Sequence, residues 1–184
     1  VFAMAASAPP LNPERVPGAG DLAYLNFNNP ASFPFTVRQG VIEQRMFIDA
    51  LANVAIDPSI VASCTGLSLP SGETAYRFQM APLHVQGQSM GGMYANLVGA
   101  VEPRVKLVVP TGAGGYWSYM VLTTNAIANA PNDLKLLLGS GDLDFMHPAL
   151  HLLETAWEPA EPFVYMPRLA KSPLAGSASR PRPA

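Results

Sequence analysis

The nine residues His84-Val85-Gln86-Gly87-Gln88-Ser89-Met90-Gly91-Gly92 constrain this chain more than any other stretch. A short apolar run, residues 81–86, enters them. A helix-compatible run, residues 90–101, leaves them and is stopped by Pro103. A backbone that passes from strand to helix within a few residues turns sharply, and bulky side chains beside such a turn would collide. Gly87 and Gly91, two positions to either side of Ser89, read as the small residues the turn needs, and Gly92 as a second glycine that lets the helix pack closely. Ser89 then stands at the tip.

A serine hydroxyl is a weak nucleophile. To attack a carbonyl it must be exposed, beside a base and beside donors that hold the oxyanion. A strand-to-helix turn supplies the exposure, and the helix N-terminus adds partial positive charge and free backbone N–H groups. Ser89 is therefore the candidate nucleophile, and Met90 the candidate oxyanion donor through its backbone N–H. The alternative is an ordinary glycine turn between a strand and a helix.

Other segments read less sharply. Residues 1–6, Val-Phe-Ala-Met-Ala-Ala, are apolar and suit a buried strand ended by Pro9 and Pro10. Asn26, Asn28, Asn29 and Pro30 favour a turn-rich loop. Residues 36–52 carry Val37, Val41, Ile48 and Leu51 at helical intervals, with Thr36 as N-cap. Residues 57–78, interrupted by Pro58, Gly66, Pro70 and Gly72, form a connection with at most short elements. Residues 105–109 suit a strand, followed by Gly112-Ala113-Gly114-Gly115. Residues 117–130 suit a helix, residues 134–138 suit either a strand or a helix, and residues 147–158 form an amphipathic helix with Pro148 in its first turn. The order of strands and helices over the first 110 residues predicts a parallel sheet flanked by helices.

Composition excludes several functions. Hydrophobic residues make up 49% and charged residues 13% of the 184, which fits a packed core rather than a disordered chain. The net charge of −2 provides no basic field for nucleic acid. Cys64 is the single cysteine, so the chain has no internal disulfide and no cysteine-rich metal site. No apolar run approaches the roughly 20 residues of a membrane span. The start at Val1, without a charged leader, reads as lying inside a strand of a longer product. Neither a phosphate-binding loop nor a complete dinucleotide fingerprint occurs, since Trp117 stands where the third glycine after Gly112 and Gly114 should be. No cofactor is expected.

The Gly87-Gln88-Ser89-Met90-Gly91-Gly92 motif resembles that of the α/β-hydrolases. With residues 24–30, Val37-Arg38-Gln39-Gly40 and His147-Pro148-Ala149-Leu150, the chain looks like a bacterial lipase/esterase-like branch of that superfamily. The resemblance extends over most of residues 1–166, and the turn at Ser89 is its specific motif. It implies an α/β class chain with a partial α/β-hydrolase fold, a mostly parallel sheet flanked by helices, and a helical lid-like C-terminal part. It divides the chain into a core at 1–112 and a lid or cap at 113–170; residues 171–184, rich in Pro, Ser, Ala and Arg, are expected to form a disordered tail. It implies a serine nucleophile, a small-molecule ester substrate and hydrolysis as the reaction. It places residues 1–6 at a central strand. A truncated sheet would expose strand edges, which predicts self-association.

Such an enzyme needs a carboxylate and a histidine after the serine in sequence. Asp142 follows residues 134–138 and is a candidate acid, with Asp144 beside it. The alternative, a polar loop before the next helix, is the favoured reading. His84 precedes Ser89 in its own strand, where its ring is expected to pack in or near the sheet. His147 and His151, four residues apart, have metal-binding spacing, but Pro148 and the lack of a third ligand favour a helix face. The triad histidine is therefore expected to be missing here, as is a His-Gly-Gly-like oxyanion loop. Tyr116, Trp117, Tyr119 and Met120 read either as an acyl pocket or as core.

Overall fold

The structure is a computed structural model that describes residues 3–20, 23, 26 and 29–175. Two strands and six α-helices appear among them, making the protein α/β: β1 Leu83–Gln88 and β2 Val105–Thr111, with α1 Phe33–Asn53, α2 Met90–Val101, α3 Trp117–Thr123, α4 Ala130–Leu138, α5 Pro148–Trp157 and α6 Pro162–Ala170. The strands run parallel, joined by α2, and His84 pairs with Leu107, Gln86 with Val109 and Gln88 with Thr111. This is the βαβ unit expected of two parallel strands, which need a crossover helix. Its helix occupies the residues that the sequence pattern predicts.

Alternation along β1 sends Leu83, Val85 and Gly87 inward and His84, Gln86 and Gln88 outward. On β2, Leu107 and Val109 are also exposed. Helix α2 packs on the inner face, with α1 and α6 against it. The outer face is open, so His84 is solvent-exposed rather than packed in the sheet. The predicted sheet flanked by helices is thus present on a small scale, covered on one face.

Residues 3–6 are not a strand. They are extended without regular structure and exposed, and Met4 is 77% accessible. Small side chains bury little area there, and no ladder partner supplies hydrogen bonds, so the apolar run lacks what would hold it as a strand. Val1 and Phe2 lie outside the described residues, as do Asn28 and residues 176–184; Asn26 and Asn29 fall in the expected loop, and residues 171–175 are exposed and belong to no helix or strand.

Helix α1 begins earlier than the Thr36 cap predicts. Ser32 is its N-cap and Pro34 sits in the first turn, where a missing N–H costs nothing. Thr36 is instead buried inside that turn, its hydroxyl donating to Ser32 O (3.2 Å) and accepting from Asn26 Nδ2 (3.2 Å). The predicted helix over 117–130 is two pieces. Thr124 turns extended and accepts from the Ala126 N–H through its own Oγ1 (3.1 Å), a local bond that competes with the helix ladder. Asn129, left-handed at φ 63°, and Pro131 then start α4. Residues 134–138 resolve as helix, and residues 57–78 hold only the 3-10 turn Pro58–Val61 and a bridge between Ile56 and Tyr76.

One continuous core runs through both halves. Phe33 of α1 meets Trp117 of α3 edge-on (centroids 5.1 Å) and Trp157 of α5 at 4.6 Å. Each such aromatic pair contributes about 1 kcal/mol beyond its buried area. The two indole N–H groups find carbonyls, Trp117 that of Ala160 and Trp157 that of Pro30, each at 2.9 Å. Trp117 is therefore core rather than pocket wall.

Candidate active site

Ser89 stands where β1 becomes α2. Its backbone is at φ 54°, ψ −120°, a positive-φ conformation outside the left-handed helical region that non-glycine residues rarely adopt and that costs on the order of 1–3 kcal/mol. Its N–H donates to Thr111 O (2.8 Å), extending the β1–β2 ladder one residue past the strand, and its carbonyl accepts from Gly92 and Met93 to open the helix. The backbone is thus held on both sides while the side chain is not. A serine at a helix N-cap normally has extended backbone, and its hydroxyl accepts from an N–H in the first turn. Here the hydroxyl makes no such cap, and Ser89 is exposed. The N–H groups of Met90 and Gly91 open the helix, where no intrahelical carbonyl can reach them.

The glycines do not share the work as their symmetrical spacing suggests. A Cβ on Gly87 would lie 2.0 Å from Gly91 O and 2.6 Å from Gly92 N, both backbone atoms that cannot yield. A Cβ on Gly92 would lie 2.7 Å from the Cβ of Ala113, in the loop after β2. Gly91 has nothing within 4 Å of the same position; it lines a cavity of about 350 Å³ between α1 and β1. The close approach of strand and helix therefore rests on Gly87 and Gly92, and the smallness of Gly91 is not forced by contact.

The residues expected to complete a triad are not brought to Ser89. Its hydroxyl makes no hydrogen bond among the described residues. Asp142 is exposed and follows a helix, α4, rather than a strand. Asp144 shapes the turn before α5: its Oδ1 accepts from Met146 N (2.8 Å). His147 is the N-cap of α5, its Nδ1 accepting from Ala149 N (3.2 Å). His151 meets the Tyr116 hydroxyl through Nδ1 at 3.0 Å. The two histidines thus have separate partners, and no three His, Cys, Asp or Glu side chains gather among the described residues to hold a metal ion.

The apolar cluster after β2 splits. Trp117 turns into the core, while Tyr116 meets the Phe145 ring tilted and Tyr119 meets it edge-on, each with centroids 5.2 Å apart, and His151 adds its ring to the same patch. Tyr116 is left-handed at φ 67°. Burial, followed by the nearby Glu154 and Glu161 carboxyls, raises its hydroxyl above the ordinary tyrosine value.

Two buried carboxyls below this patch escape sequence reasoning. Glu154 Oε2 accepts from Ser118 N (2.9 Å) and Ser118 Oγ (2.6 Å). Glu161 caps α6 through Phe163 N (3.2 Å) and accepts from Trp117 N (2.9 Å). Burial and then the neighbouring Glu161 carboxyl push Glu154 up to about 7, Ser118 opposing them. The one available signal was Glu154 lying three residues from Trp157 and His151 on the amphipathic face of α5.

No helix among the described residues is long and apolar enough to cross a membrane. Comparison with protein-family models, with curated proteins and with solved structures finds no match to this chain.

Proposed function

We propose that Ser89 is the nucleophile of a serine hydrolase of the α/β-hydrolase kind, acting on carboxylic esters with an apolar acyl group. The observation that carries this reading is the Ser89 backbone, held at φ 54°, ψ −120° while its hydroxyl caps nothing. Strain at a residue whose side chain does no structural work points to use of that side chain. Ser89 Oγ would attack the ester carbonyl carbon, and the Met90 N–H would hold the oxyanion. The alcohol would leave, and water would release the acid from the acyl-serine. The sheet and the crossover helix would be part of an α/β-hydrolase fold, with the helices after β2 acting as its lid. The open outer face, with Leu107 and Val109 exposed beside His84, favours self-association of the chain.

A second reading is a non-catalytic binding piece with the same turn. It is favoured by the absence of any hydrogen bond from the Ser89 hydroxyl to a described histidine. A fluorophosphonate probe with mass-spectrometric mapping, paired with p-nitrophenyl butyrate turnover, decides between them. Labelling at Ser89 with turnover that falls at least ~10³-fold in Ser89→Ala is expected of the hydrolase. Labelling at Ser89 without turnover keeps the nucleophile and removes butyrate esters as its substrate, while no labelling at Ser89 overturns the nucleophile and supports the second reading.

A further inference from the structure

The loop from Thr111 to Trp117 touches the Ser89 turn at one end and the buried carboxyls at the other. At the first end, Thr111 O accepts from Ser89 N (2.8 Å), and Ala113 packs where Gly92 leaves no room for a side chain. At the second, Gly115 lies so close to α6 that a Cβ would sit 2.7 Å from the Phe163 ring and 2.9 Å from Glu161 Oε1. The next three residues are all tied to the same place. Trp117 N–H donates to Glu161, Ser118 N–H and Oγ donate to Glu154, and the left-handed Tyr116 meets His151. Whatever holds α3 at its start therefore holds this loop against the turn.

The carboxyls that do so are 7% and 3% exposed, and neither faces a cation among the described residues. Both Glu161 oxygens have N–H donors, the partnership a carboxylate wants. Glu154 Oε2 has two donors and its buried Oε1 has none. An ionised oxygen with no donor, beside a second carboxylate, is the costliest arrangement available to the pair. A proton on Glu154 Oε1 removes that charge and supplies a donor to face Glu161. The groups acting on the pair are few: Ser118 and Tyr116 from the loop and α3, His151 through Tyr116 from α5, and Glu161 from the start of α6. Helices α1 and α4 contribute apolar side chains to this side of the core, Phe33 from one and Leu134 from the other.

We propose that Glu154 and Glu161 are positioning residues: with a proton on Glu154 Oε1 facing Glu161, they latch the start of α3 and hold the Thr111–Trp117 loop against the Ser89 turn. When the proton leaves for solvent, two adjacent buried carboxylates repel, α3 loosens at Trp117 and Ser118, and the loop loses its anchor. The consequence for Ser89 chemistry rests on the nucleophile reading of Ser89; the latch itself does not.

Amide hydrogen exchange of the full chain tests it, read in the peptide spanning Thr111 to Met120 and corrected for intrinsic exchange. The wild type should hold its protection at about pH 6 and lose it at least ~10-fold by about pH 8. Glu154→Gln, which keeps a donor without the charge, should hold it at both. A flat wild-type profile, or one that Glu154→Gln leaves unchanged, overturns the latch. Infrared spectra of the wild type check it without a variant. A protonated carboxyl band should persist near pH 6, when exposed carboxyls have ionised, and vanish by about pH 8; its absence near pH 6 overturns the proposal. Phosphonate labelling in the same samples separates the two claims. A pH-dependent profile without labelling leaves the latch standing and removes the nucleophile, and labelling with a flat profile does the reverse.

Discussion

Glu102 and Glu154 are both buried glutamates, one in each half of the chain, and their surroundings give them opposite behaviour. Glu102, at the end of α2, is 1% exposed and accepts from Arg104 and Arg45, with Arg104 also bonded to Asp49. The Arg104 guanidinium holds Glu102 down to about 2 against the opposing effect of burial. Glu154 faces no cation among the described residues, and burial, followed by the Glu161 carboxyl, pushes it up to about 7. One region thus ties α1, α2 and β2 with a charge cluster that is satisfied. The other ties α3, α5 and α6 with a carboxyl pair that is satisfied only while Glu154 carries a proton. A buried acid is therefore not informative by itself; what it faces decides its sign.

The largest test of this contrast concerns the rigidity of the first region. Gly87→Ala forces a side chain onto the backbone of Gly91 and should cost ~3 kcal/mol or more, or abolish folding, in urea denaturation. Gly91→Ala meets open space inside a helix and should be neutral or stabilising by up to ~1 kcal/mol. Equal losses for the two would mean that strand and helix do not approach as described.

Next comes the charge cluster. Glu102→Gln removes a carboxylate bonded to two arginines and should cost about 2–3 kcal/mol at neutral pH. Because the folded value lies below the ordinary 4.5, the native state binds fewer protons than the unfolded chain between about 4.5 and 2. The contribution is complete above that window and lost as pH falls through it. Wild type and variant should therefore converge near pH 2 in a stability-versus-pH series.

The carboxyl pair gives a smaller effect of the reverse sign. Glu154 is raised from 4.5 to about 7, so the native state binds more protons than the unfolded chain between those values. Stability from this group is full below about 4.5 and falls as pH rises to about 7, by at most about 3 kcal/mol. Glu154→Gln should lie within about 1 kcal/mol of wild type at pH 5 and exceed it by roughly 1–2 kcal/mol at pH 8. A variant less stable than wild type at both values would show that Glu154 faces a cation after all.

Smallest of all, Ser89→Gly should raise stability by roughly 1 kcal/mol, because glycine adopts φ 54° without strain. A loss of stability instead would indicate that the Ser89 side chain holds the turn together, and so would weaken its reading as a group kept for chemistry.

Local rules made much of the fold legible. Helix α2 and strand β2 follow from a run of small and apolar residues before Pro103 and from the β-rich run after it. Helix α5 follows from Pro148 and the Leu150–Leu153–Trp157 spacing. The misreadings have a common cause in competition between local and tertiary demands. Residues 3–6 look like a strand but have no ladder to join. Thr36 looks like a cap but is buried one turn inside a helix that Ser32 and Pro34 begin. His84 alternates outward on a face that no helix covers. The helix over 117–130 breaks because the Thr124 hydroxyl satisfies a backbone N–H that a helix would have used.

The turn at Ser89 shows where the division lies. Sequence alone determined that a strand must enter and a helix must leave within a few residues, since small residues crowd the junction and Pro103 ends the helix beyond it. It also singled out Ser89 as the residue at the tip. Only the tertiary structure decided which glycines matter, because Gly87 and Gly92 meet backbone and Ala113 while Gly91 meets open space. It alone decided that the Ser89 hydroxyl caps nothing, since capping depends on a backbone angle that residue identity does not set. The pairing of Glu154 with Glu161 was equally beyond sequence, because burial and the company of charges are properties of a packed arrangement rather than of spacing.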